Sequence, residues 1–497
     1  MARDLDDLLV EAFQARQSEL PELAQRLFTE ALDQLPGDPA LLIEITRCLV
    51  DRCLRGEARD RLKNIPPIEE DPELQLELAR TWRLAGDPSE ALKCYLSIGG
   101  DNEFHRQAAL EAALIHERLG RIEEARDCLP EEDQSPETTL ALGIISEREN
   151  KTEVAATAYR QVRMQAAASP MGTEAGYRLA RLHLANGNSH EAFTLLEEIK
   201  AKEMQEFPAG REAMIHRQRE SEMAMLDRMM ELHRLQTRDE ESPVWMITGH
   251  ARSGTTLLSR LMAARGMCWI DEAPAFGALA REMSGHWKTV SSEDLPRMLA
   301  QMPSAERDSF SRAYRARLAD WGTPPPDKPL LDKNPGLWTL LPSVIALLPG
   351  WRGIILMRDP RDVALSCYFQ RFGPTSLGIS CNTLAGAVEA VSHAYRHWLR
   401  FKPMIPEEQY LELRYEDLAA DPDAVLDSSA VRAWLPPSCG GMEPMSEARP
   451  RLLENPSYAQ ADEAPHLRSV QRWQKVRGPA LATLRDLDSI AKQAGYR

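Results

Sequence analysis

A Gly or Asn followed five residues later by Ala recurs through the first half of the chain, and this repeat limits the fold more than any other feature. The pairs are Gly86/Ala91, Gly120/Ala125, Asn150/Ala155 and Gly187/Ala192, so successive turn residues stand 34, 30 and 37 positions apart. A small residue lies seven positions before each turn residue (Ala79, Ala113, Gly143, Ala180), and a larger apolar residue four after each Ala (Tyr95, Leu129, Tyr159, Leu196). Gly or Asn supplies a left-handed turn between two helices, and the small residues let those helices approach closely. One helix pair cannot bury its apolar face alone, so the pattern predicts stacked pairs, an all-α solenoid.

The pattern resembles the tetratricopeptide repeat, whose period is about 34 residues. A weaker copy is expected around Gly56, and Ala24-Phe28-Ala31-Pro36 reads as the second half of another, so the resemblance covers roughly residues 8–200. It implies either a groove for a peptide or protein partner, or an oligomerisation surface or spacer. Charge follows the same division. The formal net charge is −16, and residues 1–240 hold 30 Lys+Arg against 47 Asp+Glu, which leaves the remainder nearly neutral. Acidity in the repeat half favours a basic partner, and the overall balance argues against nucleic-acid binding as the main task. Residues 203–240 are Met-rich at helical spacing and read as a helix that packs the solenoid against the second half. The expected divisions are a repeat domain over 1–202, a helical linker over 203–242 and a second domain over 243–497.

The start, Met-Ala-Arg-Asp-Leu-Asp-Asp, is acidic and lacks the apolar region of a signal peptide. No stretch approaches the ~20 apolar residues of a membrane span, and the eight cysteines are scattered without a CxxC pair. A cytoplasmic chain with reduced thiols and no transmembrane segment is expected.

Chemistry concentrates after Pro243. Val244-Trp-Met-Ile-Thr248 reads as a buried parallel strand, and it runs into Gly249-His-Ala-Arg-Ser-Gly-Thr-Thr256 and an apolar helical stretch from Leu257. Strand, Gly-bounded loop and helix together cradle an anion with backbone N–H groups. Against the Walker A pattern, Gly249, Gly254 and Thr256 fit, but Thr255 stands where a lysine would reach the β/γ-phosphates. Arg252 places a guanidinium inside the loop instead.

That string resembles the 5′-phosphosulfate loop of sulfotransferases that use 3′-phosphoadenosine 5′-phosphosulfate (PAPS). Its RSGTT form is similar to the tyrosylprotein and the bacterial repeat-linked sulfotransferases. The resemblance implies that Arg252, Ser253, Gly254, Thr255 and Thr256 hold the 5′-phosphate. Gly353-Ile-Ile-Leu-Met357 reads as another buried strand, leading into Arg358-Asp-Pro-Arg-Asp-Val-Ala-Leu-Ser366. In the family an Arg at this strand end and a Ser eight positions on bind the 3′-phosphate, so the resemblance assigns Arg358 and Ser366 there. A forked guanidinium suits a phosphate. Lys333, in Leu331-Asp-Lys-Asn-Pro335, matches the lysine that donates to the oxygen bridging sulfur and phosphorus. Tyr415, in a strand-plus-YEDL element, matches the tyrosine near the adenine. Ser469, in Arg468-Ser-Val-Gln-Arg-Trp473, matches a segment that closes over the nucleotide. For the base that takes the acceptor's proton, Glu272 is expected, with Asp271 as the alternative. The Glu and Arg of tyrosylprotein enzymes would align at Ala273 and Ala275, so a peptidyl-tyrosine acceptor does not follow from the resemblance.

The resemblance covers about 243–497. It implies an α/β, P-loop-like domain with a parallel sheet and in-line sulfuryl transfer from PAPS to a hydroxyl acceptor. The product nucleotide is 3′-phosphoadenosine 5′-phosphate (PAP), and no metal is needed. Strands are expected near 244–248, 267–271, 353–357 and 410–414, with ligand at their C-terminal ends and residues 275–329 shaping the acceptor pocket. The acceptor stays open between peptide tyrosine, glycan, lipid-linked sugar and small alcohol or phenol. Two rival readings are a P-loop-like kinase or nucleotide hydrolase, and a repeat scaffold with an inactive module. The missing Walker lysine opposes the first; intact Arg252, Lys333, Arg358 and Ser366 oppose the second. His393 and His397 share a helix face but lack the glutamate of HExxH, so packing is expected and not zinc. His250 is read as packing the loop or facing the acceptor, Arg361 and Asp362 as a helix-start charge pair, and Arg371 as a residue that approaches the 3′-phosphate.

Overall fold

A computed structural model describes residues 3–68, 70–100, 102–130, 133–207, 210–232, 244–283, 302–322, 330–348, 350–373, 375–435, 458 and 465–497. The first half folds as successive helix hairpins: α1 (Leu5–Gln17) with α2 (Pro21–Gln34), α3 (Pro39–Asp51) with α4 (Arg55–Leu62), and α5 (Pro72–Leu84) with α6 (Pro88–Ser97). Next come α7 (Glu103–Arg118) with α8 (Ile122–Asp127), α9 (Pro136–Arg148) with α10 (Thr152–Ala166), and α11 (Pro170–Ala185) with α12 (Ser189–Glu206). Each hairpin turns on a left-handed residue: Glu19 (φ 56°), Cys53 (61°), Gly86 (79°), Gly120 (75°), Asn150 (60°) and Gly187 (84°). The N–H after each turn residue donates to the carbonyl five positions back, as in Leu54 to Leu49 at 2.9 Å, Asp87 to Trp82 at 3.1 Å and Lys151 to Ser146 at 2.9 Å. This is the Schellman closure, which satisfies the carbonyls at the first helix's end.

The recurring small residues keep the helices close. At Gly143 a Cβ would stand 2.6 Å from the Tyr159 ring. The weaker copy differs from expectation. Its turn falls on Cys53, and Gly56 lies inside α4, where its N–H donates to the Asp320 carboxylate at 2.7 Å and a Cβ would collide with that side chain. Glycine there serves contact with the second half, not the turn. The acids of the first helices are engaged by neighbouring arginines: Arg16 with Glu44 at 2.7 Å, Arg47 with Glu44 at 2.6 Å and Arg80 with Glu77 at 2.6 Å.

Helix α13 (Arg211–Leu232) carries the chain out of the solenoid. It buries Leu226, and Arg219 donates to Ser380 at 2.9 Å. The turn read over Arg238–Pro243 lies outside the described residues. Five parallel strands follow among the described residues: β1 (Val244–Thr248), β2 (Cys268–Asp271), β3 (Leu330–Lys333), β4 (Trp351–Met357) and β5 (Tyr410–Arg414), in the order β2-β3-β1-β4-β5. Strand β3 has no counterpart among the expected strands, because Asp332-Lys333 ends it without an apolar run. It pairs with β1, Ile247 opposite Lys333, and both its charged side chains are fully buried. The chain leaves β1 first toward β2 and β3 and then crosses to β4, so β1 is a topological switch point. In open α/β sheets, ligands bind outside the strand C-termini at that point.

The halves share a core. Tyr177, Leu196 and Ile199 of the solenoid cluster with Tyr368, Phe369 and Cys381, and Phe193 stacks on Tyr368 at 5.7 Å. At the other end Arg55 lies 3.4 Å over the Trp321 ring. Midway, the Tyr458 hydroxyl donates to Glu117 of α7 at 2.8 Å. Among the described residues, no helix is long and apolar enough to cross a membrane.

Candidate functional site

The loop after β1 needs its glycines. At Gly249 (φ 152°) a Cβ would lie 2.5 Å from the Leu356 carbonyl oxygen, and at Gly254 (φ 102°) 2.4 Å from the Tyr415 ring. Arg252 also adopts positive φ, 70°, a strained state for a residue with a side chain. Ser253 is fully buried, and its Oγ has no hydrogen-bond partner among the described residues. Helix α14 (Thr255–Ala263) starts directly behind the loop with Thr255 and Thr256 buried in its first turn. A helix N-terminus, an unengaged buried hydroxyl and a backbone without Cβ obstruction suit an oxyanion.

Cations close over this cradle. Arg252 Nε donates to Ser366 Oγ at 3.2 Å. Arg358, just past β4, donates to the Arg252 carbonyl at 2.8 Å and the Ser469 carbonyl at 2.6 Å, and its guanidinium lies 4.4 Å over the Tyr415 ring. Its Nε has no partner among the described residues. The structure thus brings Arg252, Gly254, Arg358, Ser366, Tyr415 and Ser469 together. Asp362 anchors the C-terminal segment by accepting from the N–H groups of Gln471 at 2.7 Å and Trp473 at 2.9 Å. Arg472 lies between those anchors and makes no hydrogen bond or ion pair among the described residues; the sequence reading passed over it. Burial pushes the Arg252 guanidinium down to about 10, with Arg181, Arg358 and Arg472 adding like-charge repulsion. Burial likewise lowers Arg472, followed by Arg358. Burial is the larger cause for both guanidinium groups, and neighbouring cations add to it.

Beside the cradle stands an acid–lysine group. Lys333 is fully buried at the end of β3, 2.5 Å from Glu272, in contact with Asp271, and 3.5 Å from Thr256 Oγ1. Glu272 has φ 47°, and its N–H donates to the Lys333 carbonyl at 2.8 Å. Its side chain is 39% exposed against 18% for Asp271, so Glu272 is the more open of the two acids. Behind them Asp332 accepts from the Tyr314 hydroxyl, and burial pushes its carboxyl up to about 7, partly countered by that bond and by Lys333. Sequence reasoning missed Asp332; its one signal was its place beside Lys333 in the Leu331–Pro335 motif.

Other expected residues fall elsewhere. Arg371 pairs with Glu203 at 3.3 Å and donates to the Pro170 carbonyl at 3.2 Å, so it joins the solenoid and not the Arg358 cluster. Arg361 binds Asp359 at 2.8 Å and Asp488 at 2.7 Å and lies over Trp473, a structural role. His250 is buried, its ring edge-on to Trp338 at 5.9 Å, and burial pushes it down to about 4, so it is neutral. His393 pairs with Glu222 at 2.8 Å, and no metal-binding group of three such side chains occurs among the described residues. Of the segment expected to shape the acceptor pocket, residues 284–301 and 323–329 lie outside the described residues.

Residues 243–428 match the model of the Sulfotransferase family, and residues 15–78 that of the Tetratricopeptide repeat. The chain carries a sulfotransferase-family domain behind tetratricopeptide repeats. Among curated proteins, an uncharacterized protein of Aquifex aeolicus (strain VF5) is 23% identical over 240 residues, 47% of this chain and 30% of that protein. The chain therefore spans less than a third of that relative's length. Among solved structures, the sulfotransferase domain from the Synechococcus PCC 7002 olefin synthase is similar with a TM-score of 0.33 and 18% identity, covering 53% of this chain and 98% of that one. The sulfotransferase domain from the curacin biosynthetic pathway is similar with a TM-score of 0.29 and 15% identity, covering 52% and 99%.

Proposed function

We propose that this chain transfers a sulfuryl group from PAPS to a hydroxyl acceptor by in-line displacement, leaving PAP. On this reading the repeats over 1–202 and the linker over 203–242 serve the 243–497 domain, the protein acts in the cytoplasm, and a protein partner or second copy engages the solenoid. The observation that carries the reading is the convergence of Arg252, Arg358 and Ser366 on one lysine-free phosphate loop. When bound, PAPS supplies an activated sulfuryl group and a bisphosphorylated leaving group.

The chain's own residues then have distinct tasks. Ser253, Thr255, Thr256 and the first amides of α14 take the 5′-phosphate at the helix N-terminus. Arg358 and Ser366 take the 3′-phosphate, Tyr415 packs against the adenine, and the Ser469 segment covers the nucleotide. Lys333 donates to the oxygen on which negative charge grows. Removing one such preorganised donor typically lowers the rate by about 10²–10³. Glu272 accepts the proton of the acceptor hydroxyl, a role typically worth about 10²–10⁴. The 2.5 Å between Lys333 and Glu272 keeps the leaving-group and acceptor sides of one transferring group within reach of each other. No step calls for a metal.

Calorimetry with PAP and ADP tests the reading. Hydrogen bonds to charged groups contribute about 1.5–3 kcal/mol each, so the wild type is expected to bind PAP at least about tenfold more tightly than ADP. Arg358→Ala should remove most of that difference. Equal affinities in the wild type would overturn the proposal and favour a nucleotide kinase or hydrolase.

A further inference from the structure

The start of the solenoid and the helix that follows the candidate base form the two walls of a groove. Helix α15 (Ala275–Met283) begins three residues after Glu272. Its Ala278 and Glu282, one turn apart on one face, line one wall of a groove of about 900 Å³. The α1–α2 hairpin and the end of α3 line the other. Arg52 fastens the walls together, pairing with Glu22 at 3.6 Å and with Glu282 at 3.4 Å. Arg317 holds Glu282 at 2.7 Å and donates to the Arg52 carbonyl. The groove is thus a built junction between the halves.

Its lining sets leucines between acids. Glu19, Leu20, Glu22 and Leu23 all line it, with Leu20 38% and Leu23 36% exposed. Five carboxylates meet two guanidinium groups there. Arg52 and Arg317 engage Glu282, and Arg16 holds Asp51 at 3.2 Å. The carboxylates of Glu19 and Glu30 are exposed and make no hydrogen bond or ion pair among the described residues. Arg26, likewise unpaired there, offsets only one of them. A small-ligand pocket encloses its ligand in a mostly apolar lining. An open trough of leucines and carboxylates instead suits an extended chain that carries Lys or Arg beside apolar residues. The acidity of residues 1–240, 30 Lys+Arg against 47 Asp+Glu, draws in the same class. At 1.5 Å per helical residue, Ala278 and Glu282 lie on the order of 10–15 Å from Glu272. An extended polypeptide covers that distance in about three to five residues.

We infer that this groove docks a basic, partly apolar segment of a polypeptide acceptor, about three to five residues from the hydroxyl that reacts. This rests on the proposed sulfuryl transfer, and the experiment separates the two. The full chain is titrated with a fluorescent peptide that alternates Lys and Leu and carries Tyr, Ser and Thr about three to five residues beyond that run. Labelled-sulfate transfer from PAPS to the same peptide is then measured. Glu19→Gln with Glu30→Gln, and Leu20→Ser with Leu23→Ser, should each weaken binding by about three- to tenfold. Each should raise KM by the same factor and keep kcat within about twofold. Glu123→Gln with Glu124→Gln, an equal charge change at exposed positions of α8, should stay within about twofold of wild type in binding. A wild type that does not bind the peptide, or equal losses in groove and control variants, would overturn the docking site. So would a wild-type dimer in sedimentation that Leu20→Ser with Leu23→Ser dissolves, since a second copy would then fill the groove. Groove-dependent binding without transfer, in a protein that prefers PAP to ADP, would overturn the acceptor assignment. The same result without that preference would overturn the donor reading and leave the docking standing.

Discussion

Glu272 combines a strained backbone with an open carboxylate. Its φ of 47° turns the chain at the end of β2, and its N–H is tied to β3, so the side chain emerges beside Lys333. Strain of this kind persists only where the surroundings impose it, and it clusters at functional sites. Asp271 touches the same lysine but is more covered. Replacing Glu272 by Gln should therefore lower kcat by about 10²–10⁴, while Asp271→Asn should leave kcat within about tenfold, as befits an acid that only positions Lys333. Steady-state rates of labelled-sulfate transfer decide it; the opposite ranking would move the base to Asp271. Motif order made Arg252, Arg358, Ser366 and Lys333 legible in the sequence, since spacing within a strand–loop–helix unit is local. The fit of Gly254 under Tyr415 was not legible, because those residues meet only when β5 pairs with β4.

At the scale of elements, the left-handed turns of the solenoid were readable where Gly or Asn marked them and unreadable at Glu19 and Cys53, where neighbouring packing imposes the same φ on residues that disfavour it. Strand β3 was hidden for a related reason. Burial of Asp332 and Lys333 is tolerable only because Tyr314, Glu272 and Asp271 meet them there. The helix Leu384–Phe401 yields a pH prediction. His397 is 1% exposed with no partner for Nε2 among the described residues, and burial pushes it down to about 4, with His393 adding to the lowering and Glu222 opposing it. The unfolded chain takes up that proton near pH 6.5 and the folded one only near 4. Stability from this group is therefore complete above pH 6.5 and is lost as pH falls toward 4. His397→Leu should flatten the rise of Tm between those limits. Some slope should survive, because His250 is lowered in the same sense. Melts at half-unit pH steps giving an unchanged slope would refute the assignment.

Across the whole molecule, solenoid and sheet domain are less separable than a two-domain reading suggests. Their largest apolar cluster mixes Tyr177, Phe193 and Leu226 with Trp351, Tyr368 and Trp398. Buried polar bonds cross the same boundary, as Lys200 donates to the Cys381 carbonyl and Asn382 to the Lys200 carbonyl, both at 2.8 Å. Calorimetric unfolding should show one cooperative transition. A fragment 243–497 expressed alone should expose that surface and bind a hydrophobic dye. A well-folded, dye-silent fragment would show that the interface is dispensable.

The sequence by itself determined the two architectures and singled out most of the side chains that the structure gathers around the loop after β1, because helical period, turn residues and that loop are written in short, contiguous spacings. It also located the −16 net charge in the repeats. Only the tertiary structure decided what those charges do. Arginines on neighbouring helices engage many of the acids, and Arg371, far from the solenoid in sequence, comes to pair with its Glu203. Contacts between residues so distant along the chain depend on how the solenoid packs against the sheet, and local pattern carries no record of that packing.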